Sequence, residues 1–133
     1  MKYLLDTNTC ILLIKKKPPS VLQKLNAVKQ YGVAISAITL AELEYGVANS
    51  IQKQKNADAL TQILTLIDVL SFDAKAAYHY GLIRAYLQSK GQLIGPLDML
   101  IAGHAVAAGL VIVTNNAGEF SRVDGLAVED WTM

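Results

Sequence analysis

The sequence has little cysteine, little imbalance of charge and no long uninterrupted apolar run. Its one cysteine, Cys10, cannot form an intramolecular disulfide or a thiolate metal cluster, which excludes a disulfide-stapled secreted scaffold. Lys and Arg number 12 against 11 for Asp and Glu, so the net charge of +1 excludes a strong global attraction to polyanions. Any binding of nucleic acid must therefore come from a local patch.

Signals for export and membrane insertion are also lacking. The first apolar stretch ends at Asp6, too soon for the apolar segment of roughly 7–15 residues that a signal peptide needs. The longest apolar-looking segment, 99–113, contains Gly103, His104 and Gly109 and falls short of the roughly 18 residues that suggest a membrane span. We therefore expect a cytoplasmic protein without a membrane association.

Hydrophobic residues make up 53% of the 133 residues, enough to bury a core, and this length is typical of one domain. Short apolar runs alternate with segments of helical periodicity. Strands are predicted at 3–5, 33–36, 69–70, 110–113 and near 126–128, and helices at 10–17, 21–28, from about 39, 57–67, between Asp73 and Gly91, and from about 97 to 108. This alternation predicts an α/β fold with a doubly wound, mainly parallel sheet and helices on both faces.

Four carboxylates fall near the predicted carboxyl ends of strands or the starts of helices: Asp6, Glu42, Asp98 and Glu119. In open α/β sheets ligands bind outside the carboxyl ends of the strands, so these acids can converge on one pocket. Four like charges in one place are costly unless a cation is bound. Oxygen-only ligands favour Mg²⁺ or Mn²⁺ over zinc.

Each acid also has an ordinary structural explanation. Asp6 can be the N-cap of a helix, and Asp98 after Pro96 can complement a helix dipole. The spacing from Thr39 to Glu42 fits a capping box, as does that from Asn116 to Glu119. His79 and His104 stand far apart in the sequence without a cysteine cluster nearby, and His104 is interpreted as a structural histidine.

At these residues the sequence resembles the PIN domain, and especially VapC toxins of bacterial type II toxin–antitoxin systems. The resemblance implies a single PIN domain over residues 1–133. The matching segments are Leu5-Asp6-Thr7-Asn8, Ile38-Thr39-Leu40-Ala41-Glu42-Leu43, Ile94-Gly95-Pro96-Leu97-Asp98 with Ile101-Ala102-Gly103-His104-Ala105, and Val113-Thr114-Asn115-Asn116 with Glu119-Phe120. Their order and spacing are more specific than any one of them.

The resemblance implies that Asp6, Glu42 and Asp98 bind a divalent metal, Mg²⁺ or Mn²⁺. Many relatives carry Asp where this sequence has Asn116, so we assign the fourth acidic position to Glu119, with Asn116 as a polar contributor. Supporting hydrogen-bond groups are then Thr7, Asn8 and Thr114, together with Asn116.

The implied activity is endoribonuclease cleavage by metal-activated water, which leaves 5′-phosphate and 3′-hydroxyl ends and inhibits translation. The resemblance suggests tRNA as the substrate, in particular the anticodon region of initiator tRNA. The candidate RNA-binding residues are basic: Arg84, Lys15, Lys90 and Arg122. For the lysine run at 15–17, solvation at a helix end is the ordinary explanation.

The implied partners are a VapB-type antitoxin and a second toxin copy in a homodimer, within a toxin–antitoxin assembly that binds operator DNA through the antitoxin. Ile11, Leu12 and Leu43 can form a partner groove, although burial in the core is the ordinary role of such residues. Tyr45 and Trp131 are likewise interpreted as core or interface residues before base-stacking ones.

One further class, that of phosphatases and phosphoacceptors, and one binding role compete with this interpretation. Asp6-Thr7-Asn8-Thr9 is close to the Asp-x-Asp-x-Thr pattern of haloacid-dehalogenase-like phosphatases, although Asn8 replaces the second acid. A response-regulator receiver domain would need paired acids after the first strand, where this chain has only Asp6. A catalytically inactive binding module would not need Asp6, Glu42 and Asp98 together.

Overall fold

The computed structural model describes residues 1–133 as five strands and seven α-helices. A 3₁₀ turn at Lys29–Tyr31 precedes the second strand. The elements in chain order are β1 (Tyr3–Leu5), α1 (Thr7–Lys15), α2 (Pro19–Val28), β2 (Val33–Ser36), α3 (Ala37–Ala48), α4 (Lys53–Leu64), β3 (Asp68–Leu70), α5 (Ala74–Ser89), α6 (Pro96–Ala108), β4 (Val111–Val113), α7 (Ala117–Phe120) and β5 (Val128–Glu129).

The five strands form one parallel sheet in the order β3-β2-β1-β4-β5. Leu5, the last residue of β1, pairs with Ile35 of β2 and with Val113 of β4. The three central strands therefore end at nearly the same level, and the residues that follow them emerge at a common carboxyl edge. The predicted α/β class with a parallel sheet is confirmed.

Helices cover both faces of the sheet, as the doubly wound prediction requires. Side chains alternate along a strand, so Tyr3 and Leu5 point to one face and Leu4 to the other. The first face packs against the helices α1–α4 and Trp131, with a core that includes Leu13, Val21, Leu25, Leu43, Leu60 and Ile63. The second face packs against α5–α7, with a core that includes Leu87, Ile101, Ala102, Ala105 and Phe120.

Helices α2 and α4 begin two and four residues earlier than predicted, and Ile67 lies beyond the end of α4 at Leu64. Helices α1 and α3 also begin earlier, because a residue closer to the preceding strand provides the cap. Asp6 accepts a hydrogen bond from the Thr9 amide and starts α1 at Thr7 rather than at Cys10. Ser36 accepts one from the Ile38 amide and starts α3 at Ala37. The predicted capping box from Thr39 to Glu42 is therefore wrong, since Thr39 lies inside α3 and Glu42 lies in its second turn.

Close packing of α5 on α6 fixes the position of the latter helix. A Cβ added to Gly103 would lie 2.8 Å from the Cα of Tyr80, so glycine allows the two backbones to approach. Gly95, the residue directly before α6, lies close enough to Asp98 that a Cβ there would be 3.2 Å from Oδ2. No helix combines the length and the apolar character that crossing a membrane requires.

Candidate active site

The fold delivers the four acids to the carboxyl edge of the sheet from four different elements. Asp6 directly follows β1, and Glu42 lies on α3, which follows β2. Asp98 lies in the first turn of α6, and Glu119 lies in α7, just after β4. Because α6 runs back against the strands, its N-terminus lies at the same edge as the C-termini of the strands.

Asp6 is almost fully buried and is held by hydrogen bonds. Its Oδ1 accepts from the Thr9 amide at 2.8 Å, and the Thr9 hydroxyl donates to the Val113 carbonyl at 3.1 Å. Burial raises the pKa of the Asp6 carboxyl, and the charge of Glu42 adds to that rise, whereas hydrogen bonds from Thr114 and Thr9 oppose it. Asp6 is thus both the helix cap expected from the sequence and a charge-bearing group at the sheet edge.

Glu42 is oriented by a side chain from another helix. The Thr7 hydroxyl on α1 donates to Glu42 Oε1 at 2.6 Å, in a partly buried environment. Thr7 thus contacts Glu42 directly, whereas Asn8 next to it is exposed, and the role of both as supporting groups stays a prediction. The oxygen of Glu42 that Thr7 does not bind directly, Oε2, remains available for a ligand.

The charges of all three other acids affect the pKa of Asp98. Burial raises the pKa of Asp98 to about 6, and the charges of Asp6, Glu119 and Glu42 add to the rise in that order. No basic side chain contributes an opposing effect at this carboxyl. The site therefore concentrates negative charge that the protein itself does not neutralise.

The segment after β4 supplies the fourth acid and its polar neighbours. Thr114 is fully buried, and its hydroxyl accepts from the Asn116 amide at 2.8 Å. Asn116 precedes α7 without a side-chain cap hydrogen bond, so the predicted capping box with Glu119 does not form. The charge of Glu119 reaches Asp98, whereas Asn116 has none to contribute.

The charges of neighbouring acids raise the pKa values of Asp6 and Asp98, but the acids do not form a closed coordination shell. No group of three or more His, Cys, Asp or Glu side chains is gathered tightly enough to hold a metal ion. Mg²⁺ typically binds through one or two carboxylates and keeps several waters, so a set of spaced oxygen ligands around uncompensated charge fits such an ion. The roles of the four acids as metal ligands stay predictions.

An open cleft of about 760 Å³ leads to Glu42 and Asp98. Polar Thr7 and Asn8 line it beside the acids, and its other walls are largely apolar, formed by Ile11, Ile38, Ala41, Tyr45 and Leu97. The sequence motifs therefore did not predict that much of the wall of the site is apolar. The spacing on α3 was the available signal, because Ile38, Glu42 and Tyr45 follow one another at helical intervals along one face.

Tyr45 and Trp131, which have the same interpretation in the sequence, differ in the structure. Trp131 is buried, packs edge-on against Tyr3 at 5.5 Å between ring centroids, and donates from Nε1 to Glu129. Tyr45 is 69% exposed, so it is not a core residue, and its assignment to an interface stays a prediction. Of the proposed groove residues, Leu43 is buried, whereas Ile11 and Leu12 are half-buried on α1.

The four basic candidates occupy different places. Lys15 in the last turn of α1 lines a smaller pocket that also includes Thr7 and Glu42, which places it beside the site. Arg84 donates to the Tyr80 hydroxyl within α5. The Nζ of Lys90 lies 5.6 Å from the Tyr86 ring centroid, and Arg122 donates to the Gln92 and Leu93 carbonyls at 3.4 Å. Arg84, Lys90 and Arg122 do not line the cleft.

His104 is a structural residue, as the sequence indicates. It is buried on α6, and its Nδ1 lies 2.8 Å from Ser36 Oγ, the atom that caps α3. Burial lowers the pKa of His104, and the charge of Asp73 partly opposes that effect. The Ser36–His104 pair thus ties α6, which carries Asp98, to the start of α3, which carries Glu42.

Comparison with known proteins agrees with this geometry. The PIN domain family matches residues 3–126. The tRNA(fMet)-specific endonuclease VapC of Shigella flexneri is 48% identical over 132 residues, covering 99% of both chains. Ribonuclease VapC2 of Rickettsia felis is 43% identical, covering 98% of both chains.

Solved structures extend the likeness to three dimensions. VapBC2 from Rickettsia felis, bound to a DNA fragment from its promoter, contains a chain that superposes with a TM-score of 0.94 at 42% identity, covering 98% of this chain and 99% of that one. Ribonucleases with a PIN domain generally depend on a divalent metal ion. The present chain belongs to the PIN-domain family, within its VapC group of ribonucleases.

Proposed function

We propose that this protein is a metal-dependent endoribonuclease, the toxin of a VapBC toxin–antitoxin module. The observation that carries the proposal is the position of four carboxylates, Asp6, Glu42, Asp98 and Glu119, at one edge of the sheet. The charges of the other three raise the pKa of Asp98, and no basic side chain opposes them there. Uncompensated charge of this kind is stabilised when a cation binds. The full-length similarity to VapC ribonucleases supports RNA as the substrate of the site.

The proposed cofactor is Mg²⁺, or Mn²⁺ in its place. Asp6, Glu42 and Asp98 would hold it, with Glu119 as a direct ligand or through water, because oxygen-only donors suit hard divalent ions. When bound, such an ion lowers the pKa of a coordinated water and stabilises charge on the phosphate. Hydrolysis joins the oxygen of water to phosphorus and breaks the bond to O3′, which leaves a 5′-phosphate and a 3′-hydroxyl.

The residues of the chain keep the carboxylates in place for this chemistry. The Thr9 amide fixes Asp6, the Thr7 hydroxyl fixes Glu42, and the packing around Gly103 fixes the helix of Asp98. Hydrogen bonds to ligand side chains of this kind orient them and typically affect metal affinity or activity by about 10–100-fold.

The proposed substrate is initiator tRNA, cut in its anticodon loop. The Shigella flexneri relative is named for activity on tRNA(fMet). An open cleft with apolar walls beside the acids suits an exposed loop better than a regular duplex, since unstacked bases are accessible only in single strands. Lys15, beside Glu42, is the basic candidate best placed to contact the RNA backbone.

The proposed partners are a VapB-type antitoxin and a second copy of the toxin. The Rickettsia felis and Salmonella typhimurium complexes each contain VapB and VapC bound to DNA. By analogy, the present toxin would form a homodimer and contact operator DNA only through its antitoxin. We expect the protein in the cytoplasm, because its proposed substrate, initiator tRNA, is found there.

A phosphatase that uses Asp6 as a nucleophile is less compatible with the structure. Asp6 is 2% exposed, and the Thr9 amide occupies its Oδ1. The position of the second acid in the phosphatase pattern is Asn8, which lines the cleft but has a neutral amide instead of a carboxylate. Phosphate transfer onto Asp6 would nevertheless be decisive evidence for that alternative.

The test is to incubate purified protein with initiator tRNA, elongator tRNA and ribosomal RNA, with Mg²⁺, with Mn²⁺ and with EDTA, and to map the RNA ends chemically. An Asp6→Asn variant is the matched control. We expect cleavage of initiator tRNA only with metal and intact Asp6, leaving 5′-phosphate ends. Metal-independent cleavage or cyclic-phosphate ends would reject the proposal.

A further inference from the structure

We infer that Tyr45 is a base-stacking residue, whose ring receives an unstacked nucleobase next to the scissile phosphate. The inference rests on the proposed ribonuclease function and adds a feature of substrate recognition to it. Tyr45 is 69% exposed and lies on α3, one helical turn beyond Glu42. Both residues line the same cleft, with Asp98 across from them on α6.

The exposure of Tyr45 has no explanation in the packing of the fold. The neighbouring helix residues Leu43 and Val47 pack into the core on the first face of the sheet, whereas Tyr45 turns towards the cleft. Other exposed tyrosines contact side chains of their own surroundings: Lys2 lies over the ring of Tyr31, and the ring of Tyr78 packs against His79. No such aromatic or cation–π neighbour is found for Tyr45.

The covalent structure of RNA connects this ring to the acids. A phosphate that sits over Glu42 and Asp98 brings its two flanking bases to the walls of the cleft, because each base is tethered to the backbone one sugar away. Those walls are apolar, and Leu97, which is also exposed, lies at the start of α6 beside Asp98. The cleft volume of about 760 Å³ is within the roughly 300–1,000 Å³ of ligand-binding clefts, and leaves space for more than a phosphate.

The chemistry favours a base over other occupants of this wall. Every nucleobase has a π-face, so an aromatic ring binds an unstacked base without needing a particular sequence. Stacking of this kind also holds the loop open, which a cut in single-stranded RNA requires. Since the acids repel the backbone until a cation is bound, an uncharged contact next to them adds affinity without adding charge.

The experiment removes the two partners of the stack separately and together. Cleavage of an anticodon stem–loop of initiator tRNA is measured for the parent protein and for Tyr45→Ala, with the normal RNA and with RNAs that are abasic on either side of the cut. We expect Tyr45→Ala to lower kcat/KM about tenfold on the normal RNA, mainly through KM, and to have no further effect on one of the abasic RNAs. Tyr45→Phe and Tyr45→Trp should stay within about twofold of the parent.

Tyr31→Ala is the matched control, because Tyr31 is also exposed and precedes β2 at the opposite edge of the sheet. It should cleave RNA like the parent protein. An unchanged kcat/KM for Tyr45→Ala, or the same loss on every abasic RNA, would overturn the inference. Normal cleavage by Tyr45→Ala together with lost binding of a VapB-type antitoxin would also overturn it and would assign the ring to a protein partner.

A binding measurement separates this inference from the proposed function. The same stem–loop carries 2-aminopurine beside the mapped cut, or at each loop position in turn if no cut occurs, and is titrated with the protein in Mg²⁺ in an Asp98→Asn background that slows hydrolysis. Quenching that disappears with Tyr45→Ala supports stacking even if the parent protein cleaves no RNA. Absence of quenching at every position, despite RNA binding, rejects stacking even if cleavage is confirmed.

Discussion

The Thr7 hydroxyl donates a 2.6 Å hydrogen bond to Glu42 Oε1 and so links α1 to α3 across 35 positions of the chain. Thr7 directly follows Asp6, the cap of α1, and the two residues come directly after β1. The placement of two acids from distant segments is therefore coupled through one side chain. Thr7 acts on Glu42 without carrying charge itself.

Replacing Thr7 with Val should loosen Glu42 while preserving the size of the side chain. We expect metal affinity and kcat to fall about tenfold, because an unanchored carboxylate samples several rotamers and must be ordered again on binding. Thr7→Ser, which keeps the hydroxyl, should retain most of both. Calorimetric titration with Mn²⁺ together with RNA cleavage rates checks this prediction, and equal values for Thr7→Val and the parent would contradict it.

Metal binding should weaken in mild acid. The metal-free Asp98 carboxyl has a pKa of about 6, so below that pH it is increasingly protonated, and a proton must leave before an ion can bind. We expect the affinity for Mn²⁺ to be steady above about pH 7 and to fall about tenfold for each pH unit below about 6. Calorimetric titrations between pH 5 and 8 measure it, and an affinity that stays constant down to pH 5 would be the contrary result.

Glu119 and Asn116 should contribute unequally, although both follow β4. The charge of Glu119 helps to raise the pKa of Asp98, whereas Asn116 is neutral. We expect Glu119→Gln to shift the Asp98 titration towards its ordinary value and to weaken Mn²⁺ binding several-fold, with a smaller effect of Asn116→Ala. Carbon-13 NMR of the Asp98 carboxyl follows the titration. A larger effect of Asn116→Ala on both quantities would identify Asn116 as the important fourth position.

Gly103 should be essential to the packing that positions α6. A Cβ there would lie 2.8 Å from backbone atoms of Tyr80, which can move only if α5 shifts. We expect Gly103→Ala to lower the free energy of unfolding by about 1–3 kcal/mol, as overpacked cores do. Gly81→Ala is the control, because nothing lies within 4 Å of its added Cβ on the exposed side of α5, and alanine favours the helix there. Urea unfolding compares the two, and equal effects would contradict this account.

The sequence predicts the fold class well because its strongest signals are local. Apolar runs mark β1, β2 and β4, Asp73 caps α5 at the predicted start of that helix, and Gly109 ends α6 in a left-handed conformation. The starts of α1 and α3 were misplaced because several hydroxyls and carboxylates stand near each strand end, and only the backbone geometry selects among them. The strand order could not be derived from local patterns, since it depends on contacts between distant segments.

The candidate site was predicted in outline for a related reason. Acids that follow parallel strands emerge at one edge of the sheet, so the sequence alone predicts that Asp6 and Glu42 lie near each other. The hydrogen bond from Thr7 to Glu42 and the exposure of Tyr45 depend on the rotation of α3 about its axis. That rotation follows from the packing of residues such as Leu43 in the core, which composition and spacing do not specify.

Mn²⁺ binding, followed by electron paramagnetic resonance, tests most directly whether the four-element acid site holds a divalent ion. The parent protein is compared with Asp6→Asn, Glu42→Gln and Asp98→Asn, and with Asp58→Asn on the exposed side of α4 as the control. We predict that the parent binds Mn²⁺, that each of the three site variants weakens binding about tenfold or more, and that Asp58→Asn binds like the parent. A parent protein without bound Mn²⁺, or site variants that bind as tightly as Asp58→Asn, would contradict the account.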